Sequence, residues 1–269
     1  MKKFLAMLLT LCMVLAFAGC AQKAPEATEA PAQEATTETP AEETPAATEE
    51  DVKSEGVMTY AEYVAAELES QVTVETYVQA KQSWWEDKAT VYSQDKDGAY
   101  FIYNMACSEA DYAKLNVGTK IKVTGTKSEW SGEIEIVDAT FEIEEGSYIA
   151  KALDVTALLG TDELEKHQNE FVCFKGMTIV ASELDGEEVA FLYNYDGSGS
   201  QEANSDLYFK ASINDKVYTF TVESYLCGNT TDVYKAVEAL KIGDVIDMEG
   251  FLYWYEGVNP HITSVTPVK

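Results

Sequence analysis

Length, composition and charge set the first limits on this protein. The chain has 269 residues, 46% of them apolar, which suffices for one large domain or two small domains with a hydrophobic core. Its 47 acidic residues face 19 lysines and no arginine, for a formal net charge of −28. Because nucleic-acid binding relies on Lys and Arg side chains that neutralise phosphates, we expect no DNA or RNA partner.

The first 20 residues have the pattern of an export signal. Two lysines at 2–3 precede an apolar run over 4–17, and small residues lead to Cys20. This run is too short for a transmembrane helix of about 20 residues, and it predicts a signal peptide over 1–19. Its ending resembles the bacterial lipoprotein signal, which implies that Cys20 becomes the lipid-modified first residue of the mature chain.

An ordinary cleavage site is the alternative, because Phe17 stands where the lipoprotein signal most often has Leu. Cleavage after Ala18 would release a soluble protein that begins at Gly19. Residues 20–55 are rich in Ala, Thr, Pro and Glu, with ten acidic residues and few large apolar ones, so they predict a disordered stalk. On the lipoprotein interpretation, acyl chains on Cys20 anchor the protein to the outer face of a bacterial membrane.

A repeat is present in the remaining sequence, 56–269, which carries 37 acidic residues and 15 lysines. Segments 115–125 and 240–250 share the pattern Leu-x-Val/Ile-Gly-x-x-Ile-x-Val/Met-x-Gly at an offset of 125 residues. The same offset relates Gly132 to Gly257. We therefore predict two similar domains. Their expected bounds are 56–150 and 151–269.

In chain order, the first copy begins with Thr59 and Glu62 in a capping-box pattern, which predicts a helix to about residue 70. Alternating apolar and polar residues then predict strands, and the Asp-Lys-Asp-Gly sequence at 95–98 predicts a hairpin turn. The expected elements are strands over 72–80, 89–93 and 100–104, a helix over 108–115, and strands around 121–123 and 134–136.

The second copy repeats this order, with an insertion between its first and second strands. The insertion contains a Phe-Leu-Tyr segment at 191–193 and a Gly/Ser-rich stretch at 196–205. The expected elements are a helical piece near 161–169, strands over 171–181, 207–213 and 217–222, a helix over 231–240, and strands over 245–252 and 261–267.

Three strands, a helix and two further strands, with the repeated Leu-x-Val/Ile-Gly-x-x-Ile pattern between helix and strand four, resemble the OB-fold. The resemblance implies a mainly β protein with two small OB-fold-like five-stranded Greek-key barrels and short helices. An unrelated small β-barrel or sandwich is the alternative. The resemblance also implies a ligand surface on strands two and three, bordered by the loops between strands one and two and between strands four and five.

Aromatic residues lie near that implied surface and predict the ligand. Such rings stack on sugars or bases, and since the charge disfavours bases we expect an oligosaccharide or cell-wall glycan. A basic protein or peptide bound through acidic charge, or an envelope scaffold without a small ligand, are the alternatives. Closure of the barrel ends is the alternative role for the tryptophans. The candidate ligand-binding residues are Trp84, Trp85, Tyr92, Tyr100, Tyr103, Trp130 and Trp254.

Catalytic and metal-binding motifs are absent from the sequence. The two histidines, His167 and His261, have no zinc-ligand spacing, and no nucleophile elbow or phosphate-binding loop occurs. The oxygen-rich segments 95–98 and 194–197 fit turns better than calcium sites. We therefore predict a non-enzymatic binding module without a catalytic residue, a metal or a cofactor.

Three cysteines remain after the signal peptide and Cys20. Cys107 and Cys227 follow the third strand of their copies, which favours equivalent positions in separate domains. Cys173 lies in a predicted strand, and we expect it to be a buried thiol. A bridge between Cys173 and Cys227 is the alternative, since both belong to the second copy.

Overall fold

The structure, a computed structural model, describes residues 53–268. The predicted signal peptide, the lipid site at Cys20 and the stalk up to residue 52 lie outside the described residues and stay predictions. The described chain is mainly β, with two five-stranded barrels and a few short helices. No helix in it is long and apolar enough to cross a membrane.

The first barrel closes in the strand order β1-β2-β3-β5-β4, and β4 pairs with β1. Strands β3 and β5 pair in parallel, with Phe101 opposite Glu135, and the other pairs are antiparallel, which is the Greek-key arrangement of the OB-fold. Its elements are α1 (Tyr60–Ala65), β1 (Gln71–Lys81), β2 (Lys88–Gln94), β3 (Ala99–Ala106), α2 (Glu109–Tyr112), β4 (Thr119–Trp130) and β5 (Glu133–Ser147).

Helix α1 begins at the predicted capping box but is shorter than predicted. Thr59 accepts a hydrogen bond from the backbone N–H of Glu62, whose carboxylate accepts one from the backbone N–H of Thr59 at 2.8 Å. The helix ends at Ala65, because the Lys127 ammonium donates to three carbonyls at its C-terminal end, at 2.8 to 3.0 Å. A side chain from β4 thus satisfies carbonyls that a further helical turn would use.

The second barrel has the equivalent strand order β7-β11-β12-β14-β13, and β13 pairs with β7. Strands β12 and β14 pair in parallel at Thr221 and His261, as β3 and β5 do in the first barrel. Strand β10 extends the sheet beside β11, and β8 and β9 form a separate hairpin. The elements are β6 (Leu153–Asp154), a 3-10 helix (Asp162–His167), β7 (Phe171–Val180), β8 (Ser182–Leu184), β9 (Glu187–Val189), β10 (Phe191–Tyr193), β11 (Leu207–Ile213), β12 (Lys216–Val222), α3 (Asp232–Glu238), β13 (Val245–Phe251) and β14 (His261–Pro267).

The repeat in the sequence marks structurally equivalent glycines. Gly118 and Gly243, just before β4 and β13, have φ angles of +87° and +91°, which L side chains rarely adopt. Gly125 and Gly250 lie where β4 and β13 approach β5 and β14, and a Cβ at either position would overlap a carbonyl oxygen of the neighbouring strand. The repeated glycines therefore reflect two steric requirements of the same barrel fold, a positive φ angle before the fourth strand and a close approach between the fourth and fifth strands.

The two barrels meet along a seam of buried aromatic side chains. Tyr92 and Phe101 of the first barrel pack against Phe251 and Tyr253 of the second. The Tyr92 hydroxyl lies 2.7 Å from Nδ1 of His261, and both residues are buried. Burial lowers the pKa of His261 to about 3, so this imidazole is neutral at physiological pH. The seam covers part of the outer face of β2 and β3.

Candidate functional site: an aromatic groove on the first barrel

An open groove of about 510 Å3 lies on the first barrel, where β2 and β3 meet the connection between β1 and β2. The OB-fold resemblance implies this face as the ligand surface. Part of the wall comes from the second barrel, because the segment after β12 lies beside residues 82–83. The lining residues are Gln82, Ser83, Trp85, Glu86, Lys88, Thr90, Tyr103, Asn104, Glu223 and Tyr225.

Three exposed aromatic side chains line the groove. Trp85 is 69% exposed, Tyr225 68% and Tyr103 44%. Two backbone hydrogen bonds join Trp85 to Lys88, and the backbone N–H of Ser83 donates to the Tyr225 carbonyl oxygen at 2.8 Å. Hydrogen bonds therefore fix the backbone segments that carry these exposed rings. Rings in fixed positions can stack on a planar ligand.

Carboxylate and amide groups lie between these rings. Glu223 is almost fully buried and accepts a hydrogen bond from the Gln82 amide at 3.1 Å. Its burial, and then the charge of Asp206, raise the pKa of Glu223 to about 7. Within residues 53–268, the side chains of Lys88 and Asn104 have no hydrogen-bond partner, so both are free to contact a ligand.

The structure separates the seven candidate aromatics into exposed and covered groups. Trp85 and Tyr103 lie in the groove, and Trp130, the last residue of β4, is half-exposed in a neighbouring cavity. Trp84 is half-buried, and its indole N–H donates to a backbone carbonyl oxygen at 2.9 Å. Trp254 packs against the core of the second barrel. Trp85, Tyr103 and Trp130 stay predictions as ligand contacts.

The prediction that Tyr92 and Tyr100 contact a ligand is wrong, because both side chains are fully buried. Tyr100 lies in the core of the first barrel, where its ring centroid is 4.9 Å from that of Tyr63. Tyr92 lies in the seam and stacks on Phe251 at 4.5 Å. Strands β2 and β3 are covered on one face by the barrel core and on part of the other by the second barrel. Alternation along these strands therefore does not separate buried from exposed residues.

Sequence reasoning missed the site residues that come from the second barrel. Glu223 and Tyr225 follow β12 in a turn that carries no motif. Their position depends on how the barrels pack, so no local pattern in the sequence identifies them. A related groove of about 320 Å3 lies on the equivalent face of the second barrel and includes Tyr195, Tyr208 and Tyr255.

The cysteines and the hairpin turn have structural explanations. Cys107, Cys173 and Cys227 are buried free thiols, so the alternative of a bridge between the last two is not formed. Asp95 accepts hydrogen bonds from two backbone N–H groups of its own turn, at 2.8 and 2.9 Å. In residues 53–268, no group of three or more His, Cys, Asp and Glu side chains is placed to hold a metal ion.

Comparisons with known proteins relate this chain to solved structures alone. No family model and no curated protein matches it. A murine DNA-binding protein bound with double-stranded DNA is 9% identical over 73% of this chain and 96% of that chain, with a TM-score of 0.34. A replication protein A heterotrimer bound to single-stranded DNA is 13% identical over 74% and 49%, with a TM-score of 0.30. A deletion mutant of the single-stranded DNA-binding protein from Thermus aquaticus is 12% identical over 74% and 94%, with a TM-score of 0.25.

The predicted partners disagree with the ligands named in the descriptions of these structures. The sequence predicts an oligosaccharide or glycan, or else a basic protein, and excludes nucleic acid, whereas several similar structures are described as bound to double- or single-stranded DNA. At such low identity the likeness concerns the fold and assigns no ligand to this chain. The exclusion rests on phosphate neutralisation by Lys and Arg, and this argument does not extend to bases, which stack on aromatic rings. The net charge therefore argues against binding through the phosphates, and it does not argue against stacking of the bases.

Proposed function

We propose that this chain is a membrane-tethered, non-enzymatic binding protein whose groove stacks unpaired nucleobases. The observation that carries the proposal is the set of exposed rings, Trp85, Tyr103 and Tyr225, around one open groove. Stacking of a base on such a ring contributes about 1 to 3 kcal/mol and tolerates any base sequence. The free side-chain amide of Asn104 supplies a donor and an acceptor for the edge of a base.

The charge around the groove restricts the ligand further. Glu86 and Glu223 line the groove with a single lysine, Lys88, and residues 56–269 hold 37 acidic residues against 15 lysines. This field repels phosphates, so counterion release contributes little to binding. A nucleoside has the base without the phosphate and avoids the repulsion, and a single strand avoids part of it when salt screens the charges.

The tether is the second part of the proposal. The export pattern, Cys20 and the acidic stalk over 20–55 support a lipid anchor that holds the two barrels at the outer face of a bacterial membrane. Metabolic labelling with a fatty acid tests the anchor, because the label is expected on the unsubstituted protein and lost in Cys20→Ser. Equal labelling of Cys20→Ser and of the unsubstituted protein would show that the lipid is attached at another residue and would contradict the role of Cys20.

Titration of the full mature chain with thymidine and with a short single-stranded oligothymidylate tests the groove. Tryptophan fluorescence reports on it, because Trp85 lies in the groove and the related groove of the second barrel contains no tryptophan. We expect thymidine affinity to be independent of salt and oligonucleotide affinity to rise with salt as repulsion is screened. Oligonucleotide affinity that falls steeply with salt would indicate phosphate-led binding and contradict the proposal.

Two tyrosine substitutions make a matched pair for this titration. Tyr225→Ala removes a ring from the groove and is expected to weaken thymidine binding by about 1 to 3 kcal/mol, on the order of 5- to 150-fold. Tyr195→Ala removes a similarly exposed ring, 77% exposed, from the second barrel and is expected to leave the signal unchanged. Equal affinities for both variants and the unsubstituted protein would overturn the role of the groove.

A further inference from the structure

A second cavity lies beside the groove, at the junction of the two barrels. Its volume is about 300 Å3, and four residues line it: Tyr103 on β3, Trp130 at the end of β4, Glu135 on β5 and Tyr253 after β13. We call this cavity the aromatic box. Three aromatic rings and one carboxyl group therefore enclose a space at the lower end of the size range of small-molecule sites.

Neighbouring side chains brace the rings of the aromatic box. Phe101 contacts both Tyr103, with a centroid distance of 6.3 Å, and Tyr253, at 5.2 Å. The ring of Trp130 lies against Tyr255 of the second barrel at 5.2 Å. Each ring is thus held by packing before a ligand arrives, which lowers the entropy that binding would cost.

The carboxyl group of the aromatic box has no partner in the protein. Glu135 is only 6% exposed, and within residues 53–268 its side chain makes no hydrogen bond or ion pair. Burial raises the pKa of this carboxyl, since the charged form loses water and gains nothing in exchange. Burying a carboxylate without a partner is unfavourable, and a cation in the box would relieve that cost.

We infer that the aromatic box binds a methylated or quaternary ammonium group. The faces of Trp and Tyr rings attract such a cation through their quadrupoles, and the attraction grows when water is excluded. Glu135 supplies the opposite charge at the wall of the same cavity. A primary ammonium fits less well, because it needs several hydrogen-bond acceptors and the box presents few.

Other ligand classes fit the aromatic box less well. Glu135 repels an anion, and the lining contains no Lys or Arg to offset it. A neutral apolar group would contact the rings but leave the buried carboxylate without a partner. The inference goes beyond the groove and its nucleobases, because the two sites share Tyr103 and otherwise use different residues.

Calorimetric titration of the full mature chain with choline, and with its neutral carbon isostere 3,3-dimethylbutan-1-ol, tests the charge requirement. The two probes have the same shape, so contacts with the rings alone would bind them equally. We expect choline to bind at least about tenfold more tightly. Equal affinities, or no binding of choline at millimolar concentration, would overturn the inference.

Substitutions identify the groups that bind the cation. Glu135→Gln keeps the size of the side chain and removes its charge, so we expect choline binding to weaken about tenfold and isostere binding to stay unchanged. Trp130→Phe retains a ring and should weaken choline binding less than Trp130→Ala does. Near-ultraviolet circular dichroism confirms that each variant is folded, and Trp130→Phe remains informative if Glu135→Gln fails to fold.

A control in the groove separates this inference from the proposed function. Trp85→Ala changes the groove and not the aromatic box, so its choline affinity should equal that of the unsubstituted protein. Unchanged choline affinity in both Glu135→Gln and Trp130→Ala would place the cation elsewhere and overturn the inference. Choline binding by the unsubstituted protein without any thymidine binding would contradict only the proposed function of the groove.

Discussion

The two barrels share one topology but differ in the connection between their first and second strands. In the first barrel, residues 82–87 join β1 to β2, and β1 pairs along its length with β4 and then with β2. In the second barrel, residues 181–206 form the connection. Strand β7 pairs with only one end of β11, and β10, which belongs to this connection, pairs with the other end. The insertion therefore supplies part of the barrel wall.

This difference affects how open the equivalent face of each barrel is. In the first barrel the short connection carries Trp85 and leaves a groove of about 510 Å3. In the second barrel the insertion places Leu192 and Tyr195 at the equivalent face, where the groove measures about 320 Å3. One repeated strand pattern thus supports two different surfaces, because the connection contributes four lining residues to the first groove and three different ones to the second.

The largest effect is expected where the shared strand pattern itself is broken. Gly250→Ala directs a Cβ into the backbone of His261, which cannot move aside as the end of a flexible side chain can. We expect the free energy of unfolding to fall by about 3 kcal/mol or more. Gly125→Ala directs a Cβ to within 2.7 Å of a carbonyl oxygen and should lower stability in the same direction but by less. Urea unfolding followed by circular dichroism measures both.

Gly243→Ala is the control for this steric explanation. A Cβ at that position meets nothing within 4 Å, and only the φ angle of +91° is strained. We expect a cost of about 1 to 2 kcal/mol. If Gly243→Ala destabilised the protein as much as Gly250→Ala, close approach of the strands would not explain the repeated glycine.

The first barrel has a buried carboxyl group at a position where the second barrel has valine. Glu133 is fully buried, and the residue 125 positions later is Val258. Burial raises the pKa of Glu133 from 4.5 to about 8 and, with the charge of Asp206, that of Glu223 to about 7. Between the ordinary pKa of 4.5 and the raised pKa of about 8, the folded protein binds more protons than the unfolded chain. The free energy of unfolding therefore falls as the pH rises from 4.5 to 8. We expect urea unfolding to show a loss of about 2 kcal/mol between about pH 6 and pH 9.

Glu133→Gln isolates the contribution of this carboxyl group. The amide has the shape of the protonated acid and does not ionise, so the loss of stability between the same pH values should be clearly smaller. His261 acts in the opposite direction, because its pKa of about 3 makes stability rise between pH 3 and 6.5. An unchanged pH profile in Glu133→Gln would mean that Glu133 is already ionised in the folded protein at neutral pH.

Contacts within one barrel were the predictable part of the fold. Ile121 and Val123 are fully buried on the face of β4 that alternation indicates, and the repeated glycines occupy equivalent positions. The end of α1 was less predictable, because the Lys127 side chain that satisfies its carbonyls comes from a distant strand. Local patterns thus determine strands and turns, while distant side chains adjust where elements end.

Contacts between the barrels determine much of the candidate site, and no local pattern records them. Tyr92 and Tyr103 lie on neighbouring strands of the first barrel, yet the seam buries Tyr92 and leaves Tyr103 exposed. The loop position that the OB-fold resemblance implies is sufficient to place Trp85 near the groove. In contrast, Tyr225 and Tyr253 reach their cavities from the second barrel, so their roles depend on packing that only the structure shows.

The smallest expected difference lies in the helices that precede the fourth strand of each barrel. Ser108 caps α2 and Thr231 caps α3, each by accepting a hydrogen bond from a backbone N–H three residues later. Helix α3 buries three residues, whereas α2 buries none and packs only the partly buried Tyr112 against its core, so loss of the cap disturbs core packing more in the second barrel. We expect Thr231→Ala to lower the free energy of unfolding by about 1 kcal/mol and Ser108→Ala by about half of that. Urea unfolding of the two variants compares them, and a larger loss for Ser108→Ala would show that the shorter helix α2 supports its barrel more than α3 does.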